Sequence, residues 1–131
     1  KEIEGFILNR LQGALLTEAF QLLADGVASY EDIDKAVTDG LGFRWSLMGP
    51  FESIHLNAPL GVAQYIERYG PMYRKMFSNT GDKTDWSLAL EKGLEESLVK
   101  KHPISNLDKS CKDRDQKMML SLVQKQKGRL N

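Results

Sequence analysis

The chain has 131 residues, a length typical of one domain. Its 18 basic residues balance its 18 acidic residues, so the formal net charge is zero. This balance argues against nucleic acid or an anionic membrane surface as the main partner, because both require a basic field. No apolar run approaches the roughly 20 residues that a transmembrane helix needs.

The single cysteine, Cys111, excludes an internal disulfide and lies in a charged stretch. We therefore interpret it as a surface thiol in a reducing, cytoplasmic environment. No signal peptide is recognisable. The chain begins at Lys1 without a methionine and enters a helix almost at once, from which we expect a separated domain of a longer protein.

The first element predicted is a long amphipathic helix from about residue 3 to Asp25-Gly26. A helical wheel places Asn9 on its apolar side, beside Gly13, which leaves space next to the amide. A buried amide without a partner costs about 1–3 kcal/mol, so Asn9 should bond either protein or substrate, and the wheel alone slightly favours protein. The apolar arc is roughly 200° wide, against roughly 100° for packing on one core, and so predicts a second domain or subunit against this helix.

A short second helix and an apolar loop are predicted next. Ser29 is the expected N-cap and Gly40 the expected end of the helix. The segment 41–49 is predicted as a loop bounded by glycines and rich in large apolar side chains. Arg44 lies in it, where a guanidinium is costly unless paired. Its partner is either a carboxylate of the protein or a carboxylate of a ligand, and composition does not decide between them.

The remaining elements are predicted from prolines, caps and apolar spacing. A third helix is predicted from Pro50, with Phe51, Ile54 and Leu56 facing inward, and a fourth from Pro59, broken or kinked at Gly70-Pro71. A fifth helix is predicted to be capped by Asp85 and to end near Lys100–Pro103. The last helix is predicted over about 107–127, and its apolar side consists of Met118, Met119, Leu122 and Val123. No segment shows sustained period-two alternation. The sequence therefore predicts an all-α fold, a single domain of about five to six helices with a long N-terminal helix.

Several sites are excluded or interpreted as structural. Gly40-Leu41-Gly42 lacks the third glycine and the preceding strand of a dinucleotide-binding fingerprint. Neither histidine has a partner at metal-ligand spacing, so no metal site is predicted. His55 is interpreted as a packing or surface residue rather than a general base. Glu52 is interpreted as a first-turn acid bonded to the local backbone.

Ordered motifs over roughly residues 1–70 resemble the C-terminal helical domain of the 3-hydroxyacyl-CoA dehydrogenase family. The opening segment, Gly5-Phe6-Ile7-Leu8-Asn9-Arg10-Leu11, is similar to the family's G-F-[IV]-x-N-R-[LI]. Asp25-Gly26, Glu31–Asp34 and Met48–Glu52 follow at the family's spacing. Several motifs in order are far more specific than any one of them.

This resemblance implies a division of labour within a longer enzyme. An N-terminal Rossmann domain of the same protein, outside this chain, would bind NAD and supply a catalytic histidine and glutamate. Residues 1–131 would be the substrate and dimerisation domain, inactive alone. Asn9 aligns with the family's active-site asparagine, and an amide is apt there because it donates to a developing carbonyl oxygen without titrating.

The substrate implied is a small 3-hydroxy acid. Residues 1–6 and 52–58 are similar to the branch of the family that oxidises L-gulonate, a free sugar acid, and Arg44 is our candidate for its carboxylate. The acyl-CoA enzymes have a shorter loop before residue 48, whereas carnitine dehydrogenases look similar here. The alternatives are therefore a 3-hydroxyacyl-CoA or carnitine dehydrogenase, or a non-catalytic helical interaction or structural protein.

Overall fold

The computed structural model describes residues 4–77 and 86–128. Its α-helices are α1 (Phe6–Ala24), α2 (Tyr30–Lys35), α3 (Gly42–Trp45), α4 (Pro50–Leu56), α5 (Val62–Met76), α6 (Ser87–Glu91), α7 (Leu94–Lys101) and α8 (Leu107–Gly128). No strand occurs within these residues, which confirms the predicted all-α fold. None of the helices described is both long enough and apolar enough to cross a membrane.

Contacts divide the chain into two compact units, Lys1–Phe43 and Arg44–Asn131, with the boundary inside α3. In the first unit α1 ends as predicted, because Gly26 takes a φ of 67° that favours glycine. The Val27 N–H then bonds the Leu22 carbonyl at 3.0 Å. The predicted cap of α2 is also confirmed, since Ser29 Oγ accepts from the Asp32 N–H at 3.2 Å.

The predicted end of the second helix at Gly40 is wrong. The chain continues from α2 through a π-helix, Ala36–Leu41, directly into α3. The Gly42 N–H bonds the Val37 carbonyl, and a Cβ at Gly42 would lie 2.9 Å from that oxygen. Only glycine allows this approach, so the wider turn carries the helix past Gly40. Arg44 consequently lies in a helix and not in the predicted loop.

In the second unit, Pro50 occupies the first turn of α4, as predicted. The inner face of α4 was predicted wrongly in part: Leu56 is buried, but Phe51 is 56% exposed. Ser53 and His55 are buried in its place. The burial of Ser53 and His55 was not predicted, because the prediction used the helical spacing of apolar residues and both of these residues are polar.

The bounds of α5 also differ from the prediction. The helix begins at Val62 rather than at Pro59, because Gly61 takes a φ of 80° immediately before it. It then continues through Pro71 to Met76 without a break. A proline in a helix interior removes one N–H donor and costs stability, but it does not end α5.

The C-terminal half is closer to the prediction. The predicted fifth helix is divided into α6 and α7 at Gly93, whose φ is 80°, and α7 ends just before His102-Pro103 as expected. Asp85, the predicted cap, lies outside the described residues. In α8, Leu107 is buried and Met118 is half-buried, but Met119 is 69% exposed, so the described residues cover the predicted apolar side only in part.

Candidate functional site

Asn9 lies near the start of α1 and is exposed, whereas the wheel predicted that it would face inward. None of the residues of α1 is buried, and Phe6, Ile7 and Leu8 are 71–75% exposed. The predicted space beside the amide is present, because a Cβ at Gly13 would meet no atom within 4 Å. The wheel identified an apolar side, and the residues that the structure describes leave that side uncovered.

The first unit also contains an apolar groove, which we call the α1 groove, with a volume of about 290 Å³. Its lining comprises Leu15, Glu18, Ala19 and Leu22 of α1 with Ala28, Asp32, Ile33, Ala36, Val37 and Leu41. Apart from the carboxylates of Glu18 and Asp32, these side chains are apolar. The α1 groove therefore suits an apolar surface better than a reacting polar group.

Arg44 is half-buried in α3. None of the ion pairs among the described residues includes its guanidinium. Of the two partners that the composition left open, a protein carboxylate is thus not found in the part of the chain described. A half-buried guanidinium in this state is suited to pair with a further anion, beyond the ion pairs of the described residues.

Tyr65, in α5, is a residue whose pKa the charge of Arg44 affects. The pKa of Tyr65 is raised to about 12, mainly by burial and also by a hydrogen bond with the Tyr73 hydroxyl, while the positive charge of Arg44 acts in the opposite direction. The hydroxyl therefore stays protonated at neutral pH. These tyrosines were predicted as core, but Tyr65 and Tyr73 are only half-buried. No local pattern predicts the influence of Arg44 on Tyr65, because it arises only in the folded chain.

His55, by contrast, is confirmed as a packing residue. It is fully buried, and both ring nitrogens bond the backbone. Nδ1 accepts from the Val62 N–H at 3.2 Å, which makes Nε2 the donor to the His102 carbonyl at 3.0 Å. A ring held in this way has no nitrogen left for general-base chemistry. Gly61 is needed beside it, because a Cβ there would lie 2.7 Å from His55 Cε1.

The interpretation of Glu52 as a locally bonded acid is wrong. Its carboxylate meets Lys101 Nζ at 2.8 Å and His102 Nε2 at 2.6 Å, and His102 Nδ1 lies 3.1 Å from Ser110 Oγ. Burial raises the pKa of Glu52, but the hydrogen bonds and charges of Lys101 and His102 outweigh it and leave the pKa below its usual value. This network joins α4 to the end of α7 and to α8, which no local pattern in the sequence indicates.

Two further polar groups lie at the same helix junction. Cys111 is half-buried and donates to the Leu56 carbonyl at 3.3 Å, so the predicted surface thiol is a packing residue. The buried Ser53 hydroxyl has no hydrogen-bond partner among the described residues. The junction is thus a structural assembly with one unsatisfied hydroxyl.

The described residues do not fit a dinucleotide. Gly40 and Gly42 lie in the π-helix and in α3, and no strand precedes them in the part of the chain described. A dinucleotide site needs a glycine turn between a strand and a helix N-terminus.

Comparison with known proteins gives a consistent set of relatives. Residues 5–100 match the family model of the 3-hydroxyacyl-CoA dehydrogenase C-terminal domain, a range that includes Asn9 and Arg44 and extends beyond residue 70. Lambda-crystallin of Oryctolagus cuniculus is 39% identical over 103 residues, which cover 79% of this chain and 32% of that protein.

Two named dehydrogenases are also similar. A 3-hydroxyacyl-CoA dehydrogenase of Gibberella moniliformis is 38% identical over 130 residues, which cover 96% of this chain and 40% of that protein. An L-carnitine dehydrogenase of Oceanobacillus iheyensis is 49% identical over 72 residues, covering 54% of this chain and 24% of that protein. The chain spans less than half the length of these relatives.

Proposed function

The chain belongs to the 3-hydroxyacyl-CoA dehydrogenase C-terminal domain family, and on that premise we propose that residues 1–131 position substrate and mediate dimerisation in an NAD-dependent 3-hydroxy acid dehydrogenase. NAD and the catalytic histidine and glutamate belong, in this proposal, to an N-terminal Rossmann domain outside the chain. The chain alone is inactive. Its substrate is a free acid similar to L-gulonate.

The observation that carries the substrate assignment is the half-buried Arg44 guanidinium without an ion-pair partner among the described residues. A guanidinium presents parallel N–H donors that match the two oxygens of a carboxylate. A free 3-hydroxy acid supplies that carboxylate. A thioester of the same acid has no charge at this position and would leave the guanidinium unpaired.

Asn9 is assigned to the reacting end of the substrate. Its amide donates to the substrate oxygen that becomes a carbonyl, and it adds no titrating group. The exposed apolar side chains around it support closure by a second domain or a second subunit, which would remove water from the amide. Exclusion of water strengthens the hydrogen bond that Asn9 donates.

A second candidate function is a 3-hydroxyacyl-CoA or carnitine dehydrogenase, which the names of two relatives favour. Carnitine carries a carboxylate and would use Arg44 in the same way, whereas an acyl-CoA would not. A third alternative is a non-catalytic structural protein, and it predicts that no hydroxy acid is oxidised at all.

Kinetics of the full-length enzyme with Arg44→Met distinguish these functions. Methionine keeps much of the side-chain volume but removes the charge. We expect KM for L-gulonate or L-carnitine to rise about tenfold or more, since hydrogen bonds to charged groups are the strong ones, and KM for 3-hydroxybutyryl-CoA to stay unchanged.

Arg68→Met is the matched control, because Arg68 is exposed and its guanidinium lies 5.6 Å from the centre of the Tyr69 ring. It should leave KM for every substrate unchanged. An equal effect of Arg44→Met on the acyl-CoA and the free acids would contradict the substrate assignment, and so would a wild-type enzyme that oxidises only the acyl-CoA.

A further inference from the structure

We propose that the α1 groove of one copy of this chain binds the exposed apolar part of α8 from a second copy, and that lysines of that α8 pair with the carboxylates of the groove. The assignment rests on the proposed function, because it takes dimerisation from there. It adds the two surfaces that meet.

One face of α8 packs on its own unit. Leu107 is buried, and Cys111 and Arg114 are half-buried. Cys111 Sγ donates to the Leu56 carbonyl at 3.3 Å, and Arg114 Nη1 donates to the Asn57 side-chain oxygen at 3.2 Å. These contacts fix which side of α8 faces α4, and the other side of the helix therefore faces away from α4.

That other side carries an apolar patch, which we call the α8 patch and which consists of Met119, Leu120, Leu122 and Val123. The four side chains are 45–69% exposed. Met119, Leu122 and Val123 have the i, i+3, i+4 spacing of one helix face, and Met119 is about 100° round the helix from the half-buried Met118. Contiguous exposed apolar side chains of this kind mark a surface that binds a partner.

The charges at the two ends of the α8 patch are positive. Lys112 lies two turns before the patch and Lys127 one turn after it, so both lysines are on the same side of the helix. Both are exposed, and neither belongs to an ion pair among the described residues. Asp115 is also on this side, but Arg114 Nη2 pairs with its carboxylate at 2.8 Å.

The α1 groove is apolar too, and its charge is negative. It has a volume of about 290 Å³, and its two ionisable side chains are Glu18 and Asp32. Asp32 accepts from Ser29 Oγ at 2.8 Å, whereas Glu18 is half-buried. None of the ion pairs found in residues 4–77 and 86–128 includes either carboxylate. A half-buried carboxylate beside apolar side chains is costly without a cation.

A second copy of the chain supplies what the groove needs. Its α8 patch provides the apolar side chains, and Lys112 and Lys127 provide the cations. A lysine fits such a place well, because its methylene stem packs on apolar surface while its ammonium group reaches the carboxylate. Zero net charge leaves little repulsion between copies. In a dimer with two-fold symmetry the same contact forms twice.

Charge reversal in the full-length protein tests this contact, with the dimer dissociation constant Kd measured by analytical ultracentrifugation. We expect Glu18→Lys to raise Kd about tenfold or more, because it replaces an attraction by a repulsion at both contacts. The double variant Lys112→Glu with Lys127→Glu should raise Kd by a similar factor for the same reason.

An equimolar mixture of these two variants is the most specific measurement. In a mixed dimer the lysine at position 18 of one copy meets the glutamates on α8 of the other. The second contact keeps the native Glu18 and the native lysines. We therefore expect mixed dimers about as stable as the wild-type dimer. Mixing cannot restore a contact that forms within one chain.

Met119→Glu tests the apolar part of the contact and stands independently if Glu18→Lys does not fold. It should raise Kd about tenfold or more, because it places a charge against the apolar groove. Lys117→Glu is the control for α8, since Lys117 is exposed and about 200° round the helix from Met119. Glu31→Lys is the control for the first unit, since Glu31 is exposed and does not line the groove. Both controls should leave Kd unchanged, and circular dichroism checks that every variant is folded.

Three results would overturn the assignment of surfaces: reversals that leave Kd unchanged, a mixture that stays monomeric, or controls that weaken the dimer as much as the test variants. A stable dimer that ignores the reversals would contradict this assignment alone and would leave the groove to another occupant, such as the N-terminal domain. A monomeric wild-type protein would contradict it together with the dimerisation in the proposed function, whereas the substrate assignment to Arg44 is tested separately by kinetics.

Discussion

The helix α1 in the first unit has 19 residues, none of them buried, whereas α4 in the second unit has seven and buries His55 completely. The two helices differ in whether their polar and apolar side chains find partners within their own unit. Both ring nitrogens of His55 bond the backbone of the same unit. Asn9 and the apolar side chains near it remain exposed.

This contrast separates residues that stabilise the chain from residues for which a function is proposed. A buried polar group with its partners in place, such as His55, fixes the junction of its helices, and its loss is costly. An exposed amide on an apolar helix face contributes little to the stability of this chain. Under the proposed function, its role depends on what covers it in the full-length protein.

The largest effect on stability is expected from His55→Ala. The substitution leaves a cavity and deprives the Val62 N–H and the His102 carbonyl of their partners. We expect a loss of about 3–5 kcal/mol in the free energy of unfolding, measured by urea denaturation of this chain. Phe51→Ala, on the exposed side of the same helix, should cost under about 1 kcal/mol. Equal losses in the two variants would remove the distinction between the faces of α4.

Gly42→Ala tests whether the π-turn of the first unit requires glycine at this position. The added Cβ would lie 2.9 Å from the Val37 carbonyl oxygen in the π-turn. We expect a loss of about 1–3 kcal/mol by thermal or urea unfolding, since a close backbone contact must shift. Gly40→Ala is the control, because its Cβ meets nothing within 4 Å. If both variants are equally stable, the π-turn does not require glycine.

Glu52→Gln tests the network that joins α4 to α7 and α8. The pKa of Glu52 is lowered in the folded chain, so its contribution is present above the usual value near 4.5 and is lost as pH falls through the folded pKa. We expect the variant to lose about 1 kcal/mol at pH 7, mainly through His102, because Lys101 is 61% exposed and its pair is screened.

The same variant should also lose stability less steeply below pH 4.5 than the wild type does, measured as the urea midpoint against pH. Glu67→Gln, an exposed carboxylate on α5, should reproduce the wild-type profile. A Glu52→Gln profile parallel to that of the wild type would mean that the ionised carboxylate is not what stabilises the junction.

Local signals predicted much of the fold. The end of α1 at Gly26, the Ser29 cap and the start of α4 at Pro50 each depend on one residue's backbone or side-chain preference. The π-helix was not predictable in this way, because its bond from Gly42 to Val37 replaces the expected stop at Gly40.

The candidate site was predictable only in part. Asn9 and Arg44 were selected from motif and context, and they stay predictions as functional residues. The electrostatic influence of Arg44 on Tyr65 was not foreseen, because it arises only in the folded chain. The Glu52–His102 pair was missed for the same reason, since its two residues are far apart in the sequence. A helical wheel shows which side of a helix is apolar, and it cannot show what covers that side.

The most direct test of the central claim, that Asn9 is one part of an active site completed outside this chain, is the turnover number of the full-length enzyme with Asn9→Ala. We expect kcat to fall more than tenfold with no change in the melting temperature, because the lost hydrogen bond acts on the reacting oxygen. The control is Gln21→Ala, an exposed amide on the same helix that bonds Asp25 at 2.9 Å. Near wild-type turnover in Asn9→Ala, or an equal loss in Gln21→Ala, would contradict the claim.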